Sequence, residues 1–184
     1  VSPHRGRIYS RWDKKKGEAL SPYGHRTADL IYHGMPTNTS ARVLMIGLGG
    51  GVIAGDLLCR DGRLSQGTRI SGIDVVELNQ SVVNLASSRF FPVMFSGDCA
   101  PYRSKLRVIL GDAFAVTSLV PRPVAYDGIV VDIPPGYEEP DAAPLEFWSS
   151  LLAIAAPGAL MVTNTLYAQR DGTDRLAERL GQAG

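Results

Sequence analysis

One stretch of the chain constrains its fold more than any other: an apolar strand pattern that runs directly into a cluster of glycines. It covers residues 41–51 and reads Ala-Arg-Val-Leu-Met-Ile-Gly-Leu-Gly-Gly-Gly. A helical pattern follows over 52–60, and a β-branched run over 70–76 leads to Glu77. This order is typical of a βαβ unit that binds a nucleoside. The glycines let the backbone approach a ligand closely, and an acid at the next strand end can hold ribose hydroxyls.

The glycines do not have the spacing of a dinucleotide-binding loop. After Gly47 and Gly49 that spacing requires a glycine at position 52, where this chain has Val52. A glycine cluster after a strand can also be no more than a tight turn. The strands on both sides and the acid at the end of the second strand favour an adenosine-type ligand.

Composition predicts a single soluble domain without a metal site. The chain has 184 residues, of which 45% are hydrophobic and 20% charged. No apolar run approaches the roughly 18 residues of a membrane helix. Cys59 and Cys99 do not make a disulfide framework or a metal site, and we expect Cys59 to be a small buried helix residue. His4, His25 and His33 have no cysteine or carboxylate at ligand spacing.

Charge is distributed unevenly along the chain. Residues 1–26 contain seven Lys or Arg and two Asp or Glu. Residues 27–184 contain twelve Lys or Arg and sixteen Asp or Glu. We therefore expect a basic N-terminal arm over 1–26, either solvated or in contact with nucleic acid or an acidic protein surface. No signal peptide pattern is present, so the expected location is the cytoplasm or an organelle matrix rather than outside the cell. A start at Val1 indicates processing or a fragment of a longer protein.

Strand and helix patterns alternate over residues 27–184. The predicted strands cover 42–46, 70–76, 106–110, 127–132 and 159–164. The predicted helices cover 27–34, 52–60, 80–90, 113–119, 144–155 and 172–181. Residues 91–105 show no regular pattern and are expected to be a surface excursion or a partner contact. The alternation predicts a doubly wound, mostly parallel α/β sheet with its ligand crevice at the carboxyl ends of the strands.

Four segments in this order resemble the class I S-adenosylmethionine-dependent methyltransferase fold, and within it the spermidine synthase branch. They are residues 43–51, 75–79 (Val-Val-Glu-Leu-Asn), 106–113 (Leu-Arg-Val-Ile-Leu-Gly-Asp-Ala) and 126–132 (Tyr-Asp-Gly-Ile-Val-Val-Asp). The resemblance covers about residues 27–166 and implies a Rossmann-like sheet that binds S-adenosylmethionine. That sheet normally has seven strands, and this chain apparently lacks the last two. The strand at 159–164 would then be an open edge or lie against a protein partner.

The resemblance assigns the first group of cofactor-binding residues to the glycine loop and the strand beside it. Gly47, Leu48, Gly49 and Gly51 would lie under the amino-acid and ribose portions of the cofactor. Glu77 would accept hydrogen bonds from the ribose hydroxyls.

The remaining roles fall on two later strand ends. Asp112 would accept a hydrogen bond from the adenine amino group, and Ala113 would offer its amide to the ring. Asp112 can equally be the N-cap of the helix at 113–119. Asp132 would face the reacting sulfonium and act as general base toward an amine. Asp127 is expected to be a turn or strand-start residue.

This chain departs from spermidine synthases at two positions that affect which substrate it could bind. Those enzymes carry an aspartate where this chain has Gly50, and a second aspartate after the fourth strand where Asp132 is followed by Ile-Pro-Pro. Losing one partner of a desolvated charge pair typically costs ~2–5 kcal/mol, so we do not expect aminopropyl transfer. Three hypotheses stay open: a methyltransferase, a non-catalytic structural or accessory subunit that kept the fold, and an aminopropyltransferase.

Overall fold

The computed structural model describes residues 10–35, 40–65, 67–120, 125–133, 143–164 and 181. A short antiparallel ribbon comes first, formed by β1 (Trp12–Asp13) and β2 (Glu18–Ala19). A five-stranded sheet follows. Among the described residues, no helix has both the length and the apolar character needed to cross a membrane.

The five-stranded sheet is parallel throughout. Its strands are β3 (Ala41–Ile46), β4 (Ile70–Glu77), β5 (Leu106–Leu110), β6 (Tyr126–Val131) and β7 (Ala155–Thr163). The spatial order is β5-β4-β3-β6-β7, so the direction of winding reverses between β3 and β6. This confirms the predicted doubly wound α/β architecture. A crevice is expected outside the carboxyl ends of the strands at the point of reversal.

Helices cover both faces of the sheet and divide the core in two. They are α1 (Pro22–Gly34), α2 (Val52–Ser65), α3 (Gln80–Leu85), α4 (Phe91–Met94), α5 (Val116–Leu119) and α6 (Leu145–Leu152). Val43 and Met45 of β3 face the core under α1 and α2, whereas Leu44 and Ile46 face the core under α5 and α6. Successive strand side chains point to opposite faces, so a sheet buried on both sides needs the continuous apolar runs seen here.

The described part of the predicted basic arm is packed onto the domain. The Ala19 N–H donates to the buried carboxylate of Asp56 in α2. Helix α1 begins at Pro22, five residues before the predicted start, because Ser21 accepts the Gly24 N–H and proline suits the first helical turn. The boundary predicted between residues 26 and 27 therefore falls inside a helix. Residues 1–9 of the arm lie outside the described residues.

The prediction that residues 91–105 lack regular structure was wrong. Helix α3 continues through a π-helical turn at Ala86–Phe90 into α4, and a 3-10 helix covers Gly97–Lys105. The cause is packing against α2, which buries a set of apolar side chains: Phe91, Met94, Phe95 and Cys99.

This packing also pairs the two cysteines. Cys59 of α2 and Cys99 form a disulfide, with Cα atoms 5.2 Å apart. The sequence predicted no disulfide framework and did not indicate this single bond, because the pairing depends on how residues 40 positions apart pack. Cys59 is buried, as predicted.

The last described elements differ from prediction in their bounds. The predicted helix at 113–119 divides into a 3-10 turn, Ala113–Ala115, and α5. Helix α6 ends at Leu152, and β7 begins at Ala155, ahead of the Pro-Gly pair expected to precede it. Strand β7 lies at the edge of the sheet, and its Pro-Gly pair falls in a bulge between Ala155 and Leu160, outside the ladder with β6. The predicted helix at 172–181 lies outside the described residues except for residue 181.

Candidate functional site

Three acids and the glycine loop stand at the carboxyl ends of four neighbouring strands. Asp112 follows β5, Glu77 ends β4, the loop at 47–51 follows β3, and Asp132 follows β6. The sheet order β5-β4-β3-β6 places them in one line along the crevice. Neighbouring strands lie about 4.8 Å apart, so the line is about 14 Å long. The structure thus brings together the residues that the sequence predicted for the site.

The glycine loop follows a path that side chains would not permit. Gly47, Gly49 and Gly51 have φ angles of 93°, 51° and 72°, in the left-handed region that favours glycine. A Cβ on Gly47 would lie only 2.3 Å from the carbonyl oxygen of Asp132. The loop therefore passes directly against the chain that leaves β6. Gly49 is the exposed residue of this loop, so a ligand could approach the backbone closely there.

Glu77 holds this loop in place. Its Oε2 accepts the Leu48 N–H at 2.9 Å, and its Oε1 accepts the Asn79 N–H at 2.8 Å. The side chain thereby ties the end of β4 to the turn after β3. Each carboxylate oxygen can accept more than one hydrogen bond, so the carboxylate keeps capacity for ligand hydroxyls.

Asp112 follows β5, and exposed apolar side chains occur near it in the chain and after the neighbouring strand β4. Its Oδ1 accepts the Phe114 N–H at 3.0 Å, which confirms the predicted N-cap role at the 3-10 turn. Leu78, Leu110 and Phe114 have 54%, 48% and 56% of their surface exposed. Large apolar groups beside one carboxylate can receive a planar heterocycle and bind its amino group.

Asp132 is held by side chains from two other elements. Its Oδ1 accepts the Tyr23 hydroxyl at 2.9 Å and the Asn164 amide at 2.8 Å. Burial raises the pKa of Tyr23 well above its ordinary value, and the charge of Asp132 and their hydrogen bond raise it further. Tyr23 is therefore a protonated donor at neutral pH.

Sequence reasoning missed both partners of Asp132. A signal for Asn164 existed, because it follows an apolar strand predicted to lie in the same sheet. Tyr23 fell in the segment assigned to a basic arm, and no local pattern indicates its contact.

Ser10 is a further residue that the sequence did not indicate. Its Oγ accepts the Gly50 N–H at 3.0 Å. A Cβ on Gly50 would lie 2.7 Å from Ser10 Cβ and 3.0 Å from Phe90 Cε1. Glycine at position 50, where spermidine synthases carry an aspartate, thus leaves room for two side chains that close over the loop.

Other polar features lie outside the crevice. The Oδ2 of Asp127 accepts the Arg42 N–H at 2.8 Å at the start of β6, in agreement with its predicted structural role. A shallow depression beside α5 and α6 is lined by Thr117, Glu146 and Ser149, away from the strand ends. In the described part of the chain, no group of three or more His, Cys, Asp or Glu side chains could hold a metal ion.

Several solved structures share this architecture, although no protein-family model and no curated protein matches the chain. Spermidine synthase from Thermotoga maritima superposes with a TM-score of 0.60 at 14% identity, over 90% of this chain and 54% of its own. Precorrin-6y C5,15-methyltransferase from Geobacter metallireducens superposes with a TM-score of 0.60 at 11% sequence identity, and the match covers 94% of this chain and 79% of that protein. The O-methyltransferase TomG from Streptomyces achromogenes, in complex with SAM (S-adenosylmethionine), superposes with a TM-score of 0.59 at 19% sequence identity. The match covers 95% of this chain and 79% of TomG.

These likenesses show that the chain has the class I S-adenosylmethionine-dependent methyltransferase fold. The chain spans about half the length of the spermidine synthase. Identities between 11% and 19% establish the fold, and function depends on the site that the fold carries.

Proposed function

We propose that this chain binds S-adenosylmethionine along the crevice and directs its methyl group to an acceptor beside Asp132. The observation that carries the proposal is the order of Asp112, Glu77, the glycine loop and Asp132 across four neighbouring strands. An extended adenosine ligand needs a partner for the base, a carboxylate for the ribose and open backbone for the tail, in this order. The similar O-methyltransferase TomG is described in complex with SAM.

The residues present fit this cofactor. Leu78 follows β4 and Phe114 follows Asp112, and both expose apolar surface of the kind that a purine ring requires. Glu77 is fixed by two backbone amides, so it is oriented before a ribose arrives. Gly49 is exposed, so the loop backbone is accessible there to the tail of the cofactor. When bound, S-adenosylmethionine supplies an electrophilic methyl group on a sulfonium sulfur.

The chain's own residues would position the acceptor and take its proton. Among the described residues, both hydrogen bonds to the Asp132 carboxylate end on Oδ1. Tyr23 and Asn164 therefore restrict its rotation and leave Oδ2 to face the acceptor. There it would accept the proton that an amine or hydroxyl loses as its new bond to carbon forms.

Calorimetric titration with S-adenosylmethionine, and separately with its decarboxylated form, tests the proposal. We expect micromolar binding of S-adenosylmethionine by the wild-type chain and none by Glu77→Ala. Asp98→Ala is the matched control, because it removes an exposed carboxylate from the 3-10 helix at 97–105, outside the crevice. Asp132→Asn should retain near wild-type affinity and lose turnover once an acceptor is identified. Equal loss of affinity and turnover would exclude the role of general base.

A non-catalytic subunit is the second candidate, and strand β7 favours it. Every residue of β7 is at least partly exposed, whereas β3 and β6 are almost fully buried. A protein partner that pairs with the 159–164 edge would cover it.

A second contact, with nucleic acid or an acidic protein surface, would use the basic segment at 1–26, where residues 14–16 are exposed lysines. A folded chain that binds neither form of the cofactor would support this function, whereas tight binding of the decarboxylated form would support aminopropyl transfer.

A further inference from the structure

Ser10 lies directly on the glycine loop. Its Oγ accepts the Gly50 N–H at 3.0 Å, and a Cβ on Gly49 would lie 3.5 Å from the same oxygen. The hydroxyl group therefore stands over two consecutive loop residues. Gly50 is buried, and the ring of Phe90 lies beside Ser10, 3.0 Å from the same Cβ position on Gly50.

The antiparallel ribbon that follows fixes Ser10 in this place. The Leu20 N–H donates to the Arg11 carbonyl at 3.0 Å, which closes the ribbon immediately after Ser10. The ring of Trp12 lies against Gly55, 3.3 Å from where a Cβ would stand, so the ribbon rests on α2. The position of Ser10 over the loop thus follows from packing and does not depend on a ligand.

The order of the strands says which part of an extended ligand reaches Ser10. Asp112 and Glu77 stand at the ends of β5 and β4, the positions proposed for the base and the ribose. The loop under Ser10 follows β3, the next strand in the sheet. The part of the ligand beyond the ribose therefore lies at this loop, and in S-adenosylmethionine that part carries an α-amino acid.

The hydrogen bonding of Ser10 selects the group it can bind. Its oxygen already accepts from the Gly50 N–H, and its own proton meets no acceptor among the residues that the structure describes, so it is available to donate. A carboxylate accepts hydrogen bonds, whereas an ammonium group only donates them. We propose that Ser10 binds the carboxylate of the amino-acid portion of S-adenosylmethionine, an inference that rests on the function proposed above.

Affinities for four related ligands test this assignment. The wild-type chain, Ser10→Ala and Ser104→Ala are titrated calorimetrically with S-adenosylmethionine, S-adenosylhomocysteine, decarboxylated S-adenosylmethionine and methylthioadenosine. The last two lack the carboxylate. We expect Ser10→Ala to lose about tenfold or more in affinity for the first two ligands, as for a hydrogen bond to a charged group, and to bind the last two unchanged.

Ser104→Ala is the matched control and should bind all four ligands as the wild type does. Its hydroxyl donates to the Pro101 carbonyl, and Ser104 lies just before β5, at the opposite end of the sheet from the crevice. Ser10→Cys is the second variant, because it keeps the side-chain size and replaces the hydroxyl by a weak donor. It should show the same selective loss, and thermal unfolding checks that each variant folds.

Three results would overturn the assignment while leaving the proposed function in place: unchanged affinity in both Ser10 variants, equal loss for all four ligands, or tighter binding of S-adenosylmethionine. Equal loss would mean that Ser10 only shapes the loop, and tighter binding would mean that its hydroxyl competes with the ligand. If the folded wild-type chain binds none of the four, the proposed function fails and this assignment with it.

Discussion

The hydroxyl of Tyr23 donates a 2.9 Å hydrogen bond to Oδ1 of Asp132, across 109 residues of sequence. Asn164 donates to the same oxygen at 2.8 Å. Helix α1 and the ends of β6 and β7 thus meet at one carboxylate. The first helix of the chain therefore helps to build the part of the crevice where we propose that chemistry takes place.

We expect Tyr23→Phe to lower the free energy of unfolding by about 1.5–3 kcal/mol, because its hydroxyl donates to a charged acceptor. Tyr32→Phe, in the same helix, removes a hydroxyl that pairs with neutral Ser65 and should cost about 0.5–1.5 kcal/mol. Urea denaturation at pH 7 measures both. A double-mutant cycle with Asp132→Asn should show that Tyr23 and Asp132 are coupled, and additive losses would contradict the hydrogen bond.

Asp74 should make stability depend on acid pH. Burial alone would raise its pKa, but hydrogen bonds from Arg107, Tyr126 and Arg42 outweigh burial and hold the pKa below its ordinary value of 3.8. A folded-state pKa below the unfolded one contributes stability that is present above about pH 4 and lost as pH falls through the folded value.

Denaturant unfolding at pH 7, 5, 4 and 3 tests whether Asp74 causes the loss of stability at acid pH. Asp74→Asn should be less stable at pH 7, by about 1–2 kcal/mol, because charge-assisted hydrogen bonds are lost while the partly exposed Arg42 and Arg107 can turn to water. Its stability should then fall less steeply between pH 5 and 3 than that of the wild type. Asp98→Asn, at an exposed site, should retain the wild-type slope. An equally steep loss in Asp74→Asn would show that other groups cause it.

Gly47→Ala should destabilise the chain far more than alanine at another glycine with positive φ. Its Cβ would meet the Asp132 carbonyl at 2.3 Å, and backbone cannot give way as a flexible side chain can. Gly97→Ala is the matched control, with φ of 56° and nothing within 4 Å of the new Cβ, so it should cost only the conformational strain of about 1–2 kcal/mol. Thermal unfolding compares the two. Similar melting temperatures would show that the loop does not pass this close to β6.

Removing the disulfide should destabilise the fold. Its cysteines are 40 residues apart, and closing a loop of that length stabilises by about 4 kcal/mol in the chain-entropy model. We expect Cys59→Ser/Cys99→Ser, measured by urea denaturation, to lose stability of this order. Thiol titration of the denatured wild-type chain should find no free thiol before reduction and two after. Two thiols in the unreduced sample would contradict the disulfide.

Most of the sheet could be predicted from local pattern. Continuous apolar runs such as the one before Gly47 indicate parallel strands buried on both faces, and β3 lies at the centre of the sheet. Each predicted site acid then followed from its place at a strand end. The bounds of β7 were less predictable, because Pro157 and Gly158 lie in a bulge: Tyr126 pairs with Ala155 and Gly128 with Leu160, so residues 156–159 leave the ladder.

The sequence by itself determined which segments form the five strands of the parallel sheet, where the glycine turn lies and which acids follow the strands, because these depend on neighbours within a few residues. Only the tertiary structure decided that Ser10 closes over Gly50, that Tyr23 orients Asp132, and that the segment at 91–105 packs on α2 through a disulfide. Each of these contacts joins residues at least 40 positions apart. Such contacts form when whole elements bury apolar surface together, and no local spacing specifies which side chains then meet.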